Sequence, residues 1–214
     1  MSTAALPVRT FGGRARYAVF GAIALMMAYV LVHNERFLID ATDREWPHIQ
    51  TFKWWLLPHG LTSAIALLLG PMQFSERLRR RYAKLHRGAG RIYVAGVLIG
   101  APLGVYVQLF QQRTMGMPAS FTAAALVQSG TWMLTTLIAF VFILKGNIDQ
   151  HRAWMTRSFA VALVFLEVRV IAGLTGLEQS PAGIEASVWF CNTISILMAD
   201  IVLQFQKPMK SRAV

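Results

Sequence analysis

The sequence predicts an all-α polytopic membrane protein, a bundle of six transmembrane helices, and three observations predict it. Of 214 residues, 55% are hydrophobic and 14% charged, with a mean hydropathy of +0.47; soluble domains carry about 25% charged residues. The apolar residues gather in six runs, each near the ~20 residues that cross ~30 Å of hydrocarbon. Period-two alternation is absent, so helices rather than a barrel must satisfy the backbone within lipid.

The runs predict spans at about 17–33, 54–74, 92–110, 121–144, 159–177 and 184–205, within a membrane domain at 17–206. A basic segment, 1–16, precedes it and a basic tail, 207–214, follows. The first run follows Arg9, Arg14 and Arg16 and resembles a signal peptide. It continues into His33-Asn34-Glu35-Arg36 without a small-x-small cleavage pattern, so it is expected to be a retained anchor. Trp54 and Trp55 open the second run where an aromatic interface belt would sit. Cys191 is the only cysteine, which excludes an intrachain disulfide.

Basic residues set the expected orientation. Arg9, Arg14 and Arg16 precede the first span; Arg77, Arg79, Arg80, Arg81, Lys84, Arg87 and Arg91 lie between the second and third. Lys145, Arg152 and Arg157 lie between the fourth and fifth, and Lys207, Lys210 and Arg212 in the tail. The alternate loops hold only Arg36, Arg44, Lys53 and Arg113. This bias puts both termini in the cytoplasm. It also accounts for the net charge of +11. The basic run reads as a topology determinant beside anionic lipid headgroups, the expected partner, and not as a nucleic-acid site, since no reading module accompanies it.

Several short motifs along the chain form one pattern: His59-Gly60, Gly70-Pro71-Met72-Gln73-Phe74, Leu85-His86-Arg87 with Gly90-Arg91 and Tyr93, then His151-Arg152, Trp154-Met155, Arg157-Ser158 and Arg169. Together they resemble the bacterial predicted-membrane-protein family known as domain-of-unknown-function family 2306, from about the second span to the fifth. The resemblance implies a bacterial inner-membrane location and draws attention to these residues; it carries no settled activity.

The two His-Arg motifs form a weak internal repeat. His86-Arg87 with Arg91, and His151-Arg152 with Arg157, each stand before a span climbing from the cytoplasm. Guanidinium forks there could grip phosphate or carboxylate groups or a cofactor. Alternatively the arginines anchor the interface and the histidines bond loop carbonyls. His86 is expected in a basic loop, Asp149 to cap the fifth span, and Gly88 and Gly90 to allow close backbone approach.

Within the membrane, His59 lies five residues after Trp54, roughly 7–8 Å deep at 1.5 Å per residue. Pro58 beside it removes a backbone donor. Glu167 and Arg169 lie mid-span in the fifth helix, two apart and therefore facing away from each other, with Asn192 at similar depth in the sixth. Gln108 and Gln128 occupy the outer halves of the third and fourth. A mid-bilayer arginine or glutamate costs about 2.5–3.5 kcal/mol on insertion scales, so each needs a partner or a watered cavity. Arg169 is expected to reach His59, the carbonyls freed by Pro58, Gln128 and Asn192. Asp200 is expected to pair with a cytoplasmic arginine.

These residues suit three classes of function. A binder or transporter of small molecules or lipids would use the outer His/Arg pocket. A membrane redox protein would use the histidines for haem b or meet quinone, although the cytoplasmic position of His86 and His151 argues against axial ligation. A non-catalytic membrane subunit, or a homodimer, would need neither. No tight cluster at metal-ligand spacing predicts a metal site, and no serine-histidine-carboxylate set, phosphate loop or zinc-protease motif is present.

Overall fold

The computed structural model describes residues 13–36, 40, 42 and 46–206. Arg9, Arg44, Lys207, Lys210 and Arg212 lie outside these residues, as do the side chains of Arg14 and Arg16. The elements are helices α1 (Gly13–His33), α2 (Trp46–Ile49), α3 (Lys53–Gln73), α4 (Glu76–Arg81), α5 (Ala83–Met115), α6 (Ala119–Leu144), α7 (Ile148–Thr175) and α8 (Pro181–Gln206). A 3-10 turn, Leu177–Gln179, joins the last two. Among the described residues there is no strand. Helices α3, α5, α6, α7 and α8 are each long and apolar enough to cross a membrane, and Tyr17–His33 of α1 is a shorter apolar helix. This is the all-α polytopic bundle that the hydropathy pattern predicts.

Helix α7 is the centre of the bundle, packed against α6, α8, α1 and α3, while α5 lies between α3 and α6. The α3–α5 seam is set by Gly96, Gly100 and Gly104, one turn apart on α5. A Cβ at Gly96 would lie 2.9 Å from the Thr62 carbonyl oxygen, and one at Gly100 2.9 Å from Thr62 Oγ1. Small residues at this spacing let helix backbones approach closely in lipid, where dispersion rather than hydrophobicity holds helices together. At Gly70 the ring of Phe159 fills the space a side chain would need, which brings α3 onto α7.

The core between α5, α6 and α7 holds a closed polar circuit. Trp132 Nε1–H donates to Tyr93 Oη at 3.3 Å, and Tyr93 Oη lies 2.8 Å from Ser158 Oγ. Ser158 Oγ lies 2.7 Å from Thr136 Oγ1, which donates to the Trp132 carbonyl at 2.7 Å. The two fixed ends assign every proton: the indole only donates and the carbonyl only accepts. Tyr93 therefore donates to Ser158, and Ser158 to Thr136. All four side chains are buried, and each donor has its acceptor, as a low-dielectric interior demands.

Two boundaries differ from expectation. Helix α5 begins at Ala83, about nine residues before the predicted span, and α7 at Ile148, about eleven residues before its apolar run but only two before the start that a cap at Asp149 predicts. His86, Arg87, Arg91, His151, Arg152 and Arg157 are therefore helical, and His86 is not in a loop. Hydropathy registers where lipid ends, but arginine-rich sequence remains a good helix former in water. The α7 cap is Asn147, not Asp149: Asn147 Oδ1 accepts from Gln150 N at 3.2 Å, and Asp149 falls within the first turn. Of the two glycines at the start of α5, a Cβ on Gly90 would lie 3.3 Å from Gln73 Oε1, whereas Gly88 has nothing within 4 Å.

Candidate functional site

Glycines Gly116 and Gly176, with φ of 69° and 74°, end α5 and α7 at the same end of the bundle, remote from the basic cluster. Between these helix ends lies a cavity of about 340 Å³. Its polar lining is His59 from α3, Gln108 and Gln111 from α5, Gln128 and Ser129 from α6, Arg169 from α7 and Glu178 from the connecting turn. Its apolar lining includes Met117, Phe121, Ala125, Phe165, Val168, Ala172, Ile184 and Val188. The volume is in the range of small-molecule sites, and the mixture of apolar wall and few polar groups is their usual composition.

His59 is held by its ring Nδ1, 2.8 Å from the Gly100 carbonyl. A carbonyl can only accept, so Nδ1 carries the proton and Nε2 keeps its lone pair. The ring has room because position 104 is glycine: a Cβ there would lie 2.7 Å from His59 Cε1. Gln108 is only 8% exposed, and its Nε2 is buried without a hydrogen-bond partner. Arg169, an exposed residue of the lining, has its guanidinium 5.5 Å from the Phe165 ring centroid. Among the described residues it has no hydrogen-bond or ion-pair partner.

The predicted outer group is therefore assembled in part. His59, Gln128 and Arg169 share one cavity, but Arg169 does not bond His59, whose Nδ1 is committed to Gly100. Nor does Arg169 bond the Trp54 carbonyl, the one that the missing N–H of Pro58 frees; the Pro58 carbonyl itself accepts from Thr62 Oγ1 at 2.8 Å. Asn192 is absent from the lining and donates to the Ala124 carbonyl at 3.3 Å, acting as a link between α6 and α8. Glu167 turns away from Arg169, as two-residue spacing requires, and accepts from Ser195 of α8. Gln111 and Glu178 were not expected in the site. They stand near helix ends, where a lone polar residue in sequence is indistinguishable from an interfacial one.

At the basic end, Arg157 binds Asp200 at 2.7 Å, as expected for Asp200, and lies over Trp154 at 4.7 Å. His151 Nδ1 is 2.9 Å from the Ala139 carbonyl, a helix carbonyl and not a loop one. Arg87, Arg91 and Arg152 are exposed. Among the described residues no three His, Cys, Asp or Glu side chains gather as a metal site would need.

The same residues, from the His59 helix through the α7 arginine to α8, fall inside one family match. The family described as predicted membrane protein (DUF2306) matches residues 56–203. The chain belongs to this family. The DUF2306 match spans α3 through α8 almost entirely, so it includes both the cavity and the two His-Arg motifs and leaves α1 outside. No curated protein and no solved structure matches the chain.

Proposed function

We propose that this DUF2306 protein is a bacterial inner-membrane protein, with both termini cytoplasmic, that binds a small amphipathic anion in the cavity at the outer end of its bundle. The observation that carries the reading is the unpartnered Arg169 guanidinium in a cavity with an apolar wall. A cation at membrane depth needs a counter-charge or water, and a carboxylate fits its planar fork. The unpartnered Gln108 amide and the free Nε2 of His59 supply a donor and an acceptor for further polar atoms of the ligand. The basic bias of alternate loops supports the orientation.

Binding is favoured over a continuous transport path. Between the cavity and the basic end, Val97, Ala101, Val161 and Ala162 are buried in one apolar cluster. Closed packing of this kind supports a pocket over a through-path.

The test is thermal unfolding of the detergent-purified protein with decanoate and with decanol. Saturating decanoate, at about 100-fold over its Kd, stabilises by about 2.7 kcal/mol, and Arg169→Gln abolishes the shift while the variant still inserts. Equal stabilisation by decanol, or a decanoate shift unchanged in Arg169→Gln, refutes the anion reading.

A further inference from the structure

The end of the bundle remote from the cavity carries two polar atoms that nothing in the fold explains. Gln73 Nε2, at the end of α3, and His86 Nδ1, in the first turn of α5, are both buried without a hydrogen-bond partner. They are neighbours. The Gln73 side chain lies over Gly90, with Oε1 3.3 Å from where a Cβ would sit, and Gly90 is one turn beyond His86 on the same face of α5. A buried polar atom without a partner costs about 1–3 kcal/mol, so two together mark a place where something else completes the bonding.

The surroundings state its charge. Arg87 follows His86 on α5 and Arg79 stands on α4, which packs against α5; the charges of both, and of His151, act on His86. Arg79 has only a loose carboxylate neighbour, Glu76 at 3.8 Å, and Arg87 has no ion-pair partner among the described residues. His151 is oriented by its bond to the Ala139 carbonyl, so Nδ1 carries the proton and Nε2 remains open. An amide, the His86 imidazole and two guanidinium forks offer more donors than the roughly four lone-pair sites of a carboxylate can accept, and the open Nε2 of His151 can take the proton of a singly protonated phosphate. They match a tetrahedral anion with three or more oxygens.

We propose that Gln73, Arg79, His86, Arg87 and His151 form a site for a phosphoryl group, separate from the cavity and independent of it. Two sources offer this chemistry: the headgroup of an anionic phospholipid and a free phosphate.

The experiment uses the full chain in detergent, with native mass spectrometry for phosphatidic acid and phosphatidylcholine, and thermal unfolding for inorganic phosphate against chloride at equal ionic strength. Phosphatidic acid is expected to be retained over phosphatidylcholine. Arg87→Gln and Gln73→Leu are each expected to weaken retention roughly tenfold, the loss of one charge-assisted or buried hydrogen bond. Arg113→Gln, at the other end of the bundle, leaves it unchanged. Stabilisation by inorganic phosphate that fails in the same two variants assigns the site to the free anion; retention of phosphatidic acid alone assigns it to the headgroup. Equal retention of phosphatidylcholine, no effect of any probe, or a loss in Arg113→Gln as large as in Arg87→Gln overturns the proposal. The decanoate shift should persist in Arg87→Gln, so failure of either site is read separately.

Discussion

Removing the Ser158 hydroxyl tests whether the circuit in the core is a directed chain of bonds or an incidental cluster of polar atoms. In Ser158→Ala, Tyr93 O–H loses its acceptor, while Thr136 keeps its own donation to the Trp132 carbonyl at 2.7 Å. One buried donor is orphaned. That costs about 1–3 kcal/mol in a water-soluble interior, and interhelical bonds within membranes average nearer ~0.6 with a maximum near ~1.7 kcal/mol, so the expected loss is about 1–1.5 kcal/mol. Tyr93→Phe orphans a different donor, the Trp132 indole N–H, and should cost a similar amount. The double variant orphans only the indole, because no phenol remains to lack an acceptor. Its destabilisation should therefore fall short of the sum by about 1 kcal/mol, the coupling expected of residues in one network. Equilibrium unfolding of the wild type and three variants in mixed detergent micelles measures all four corners of the cycle. Additive losses, or a Ser158→Ala protein as stable as wild type, would show that the proton assignment is wrong.

Other expectations follow from single contacts. Gly104→Ala puts a methyl 2.7 Å from the His59 ring and should destabilise by about 1–3 kcal/mol, as overpacking does; His59→Ala in the same chain should restore most of the loss in an unfolding titration. Reporter fusions should place residue 214 and the 75–91 segment in the cytoplasm and the 34–53 segment outside; a periplasmic carboxyl end contradicts both the span count and the orientation. The purified protein should show no strong Soret band, because no other histidine stands at the depth of His59 within the bundle. Reduced b-type bands lost in His86→Ala or His151→Ala would instead establish a cytochrome.

The spans were readable because lipid imposes a coarse, length-defined pattern on sequence, and α3, α6 and α8 begin and end within a few residues of their apolar runs. The early start of α5 was not readable, since the same arginines that mark the membrane surface also continue a helix in water, whereas a cap at Asp149 placed the start of α7 within two residues of Asn147. The divergence of Glu167 and Arg169 needed only the 100° step of a helix. Their partners needed tertiary packing: Ser195 and the cavity are contributed by segments far away in sequence. The row Gly96, Gly100, Gly104 stands in the sequence at a four-residue period, but not which neighbour fills the space beside it. Trp132 and Thr136 likewise share one face of α6 by spacing alone, whereas the circuit requires residues from α5 and α7 at one depth.

The position of α1 has a consequence for biogenesis. Its buried residues Ile23 and Val30 join a core completed by α7, and Tyr29 places its hydroxyl where Gly173 lacks a side chain. Its main seat is thus synthesised more than a hundred residues after it. During synthesis α1 therefore precedes its seat, and its apolar surface must be accommodated without α7 while α3, α5 and α6 are made. Docking of α1 onto α7 can follow only once α7 has been made.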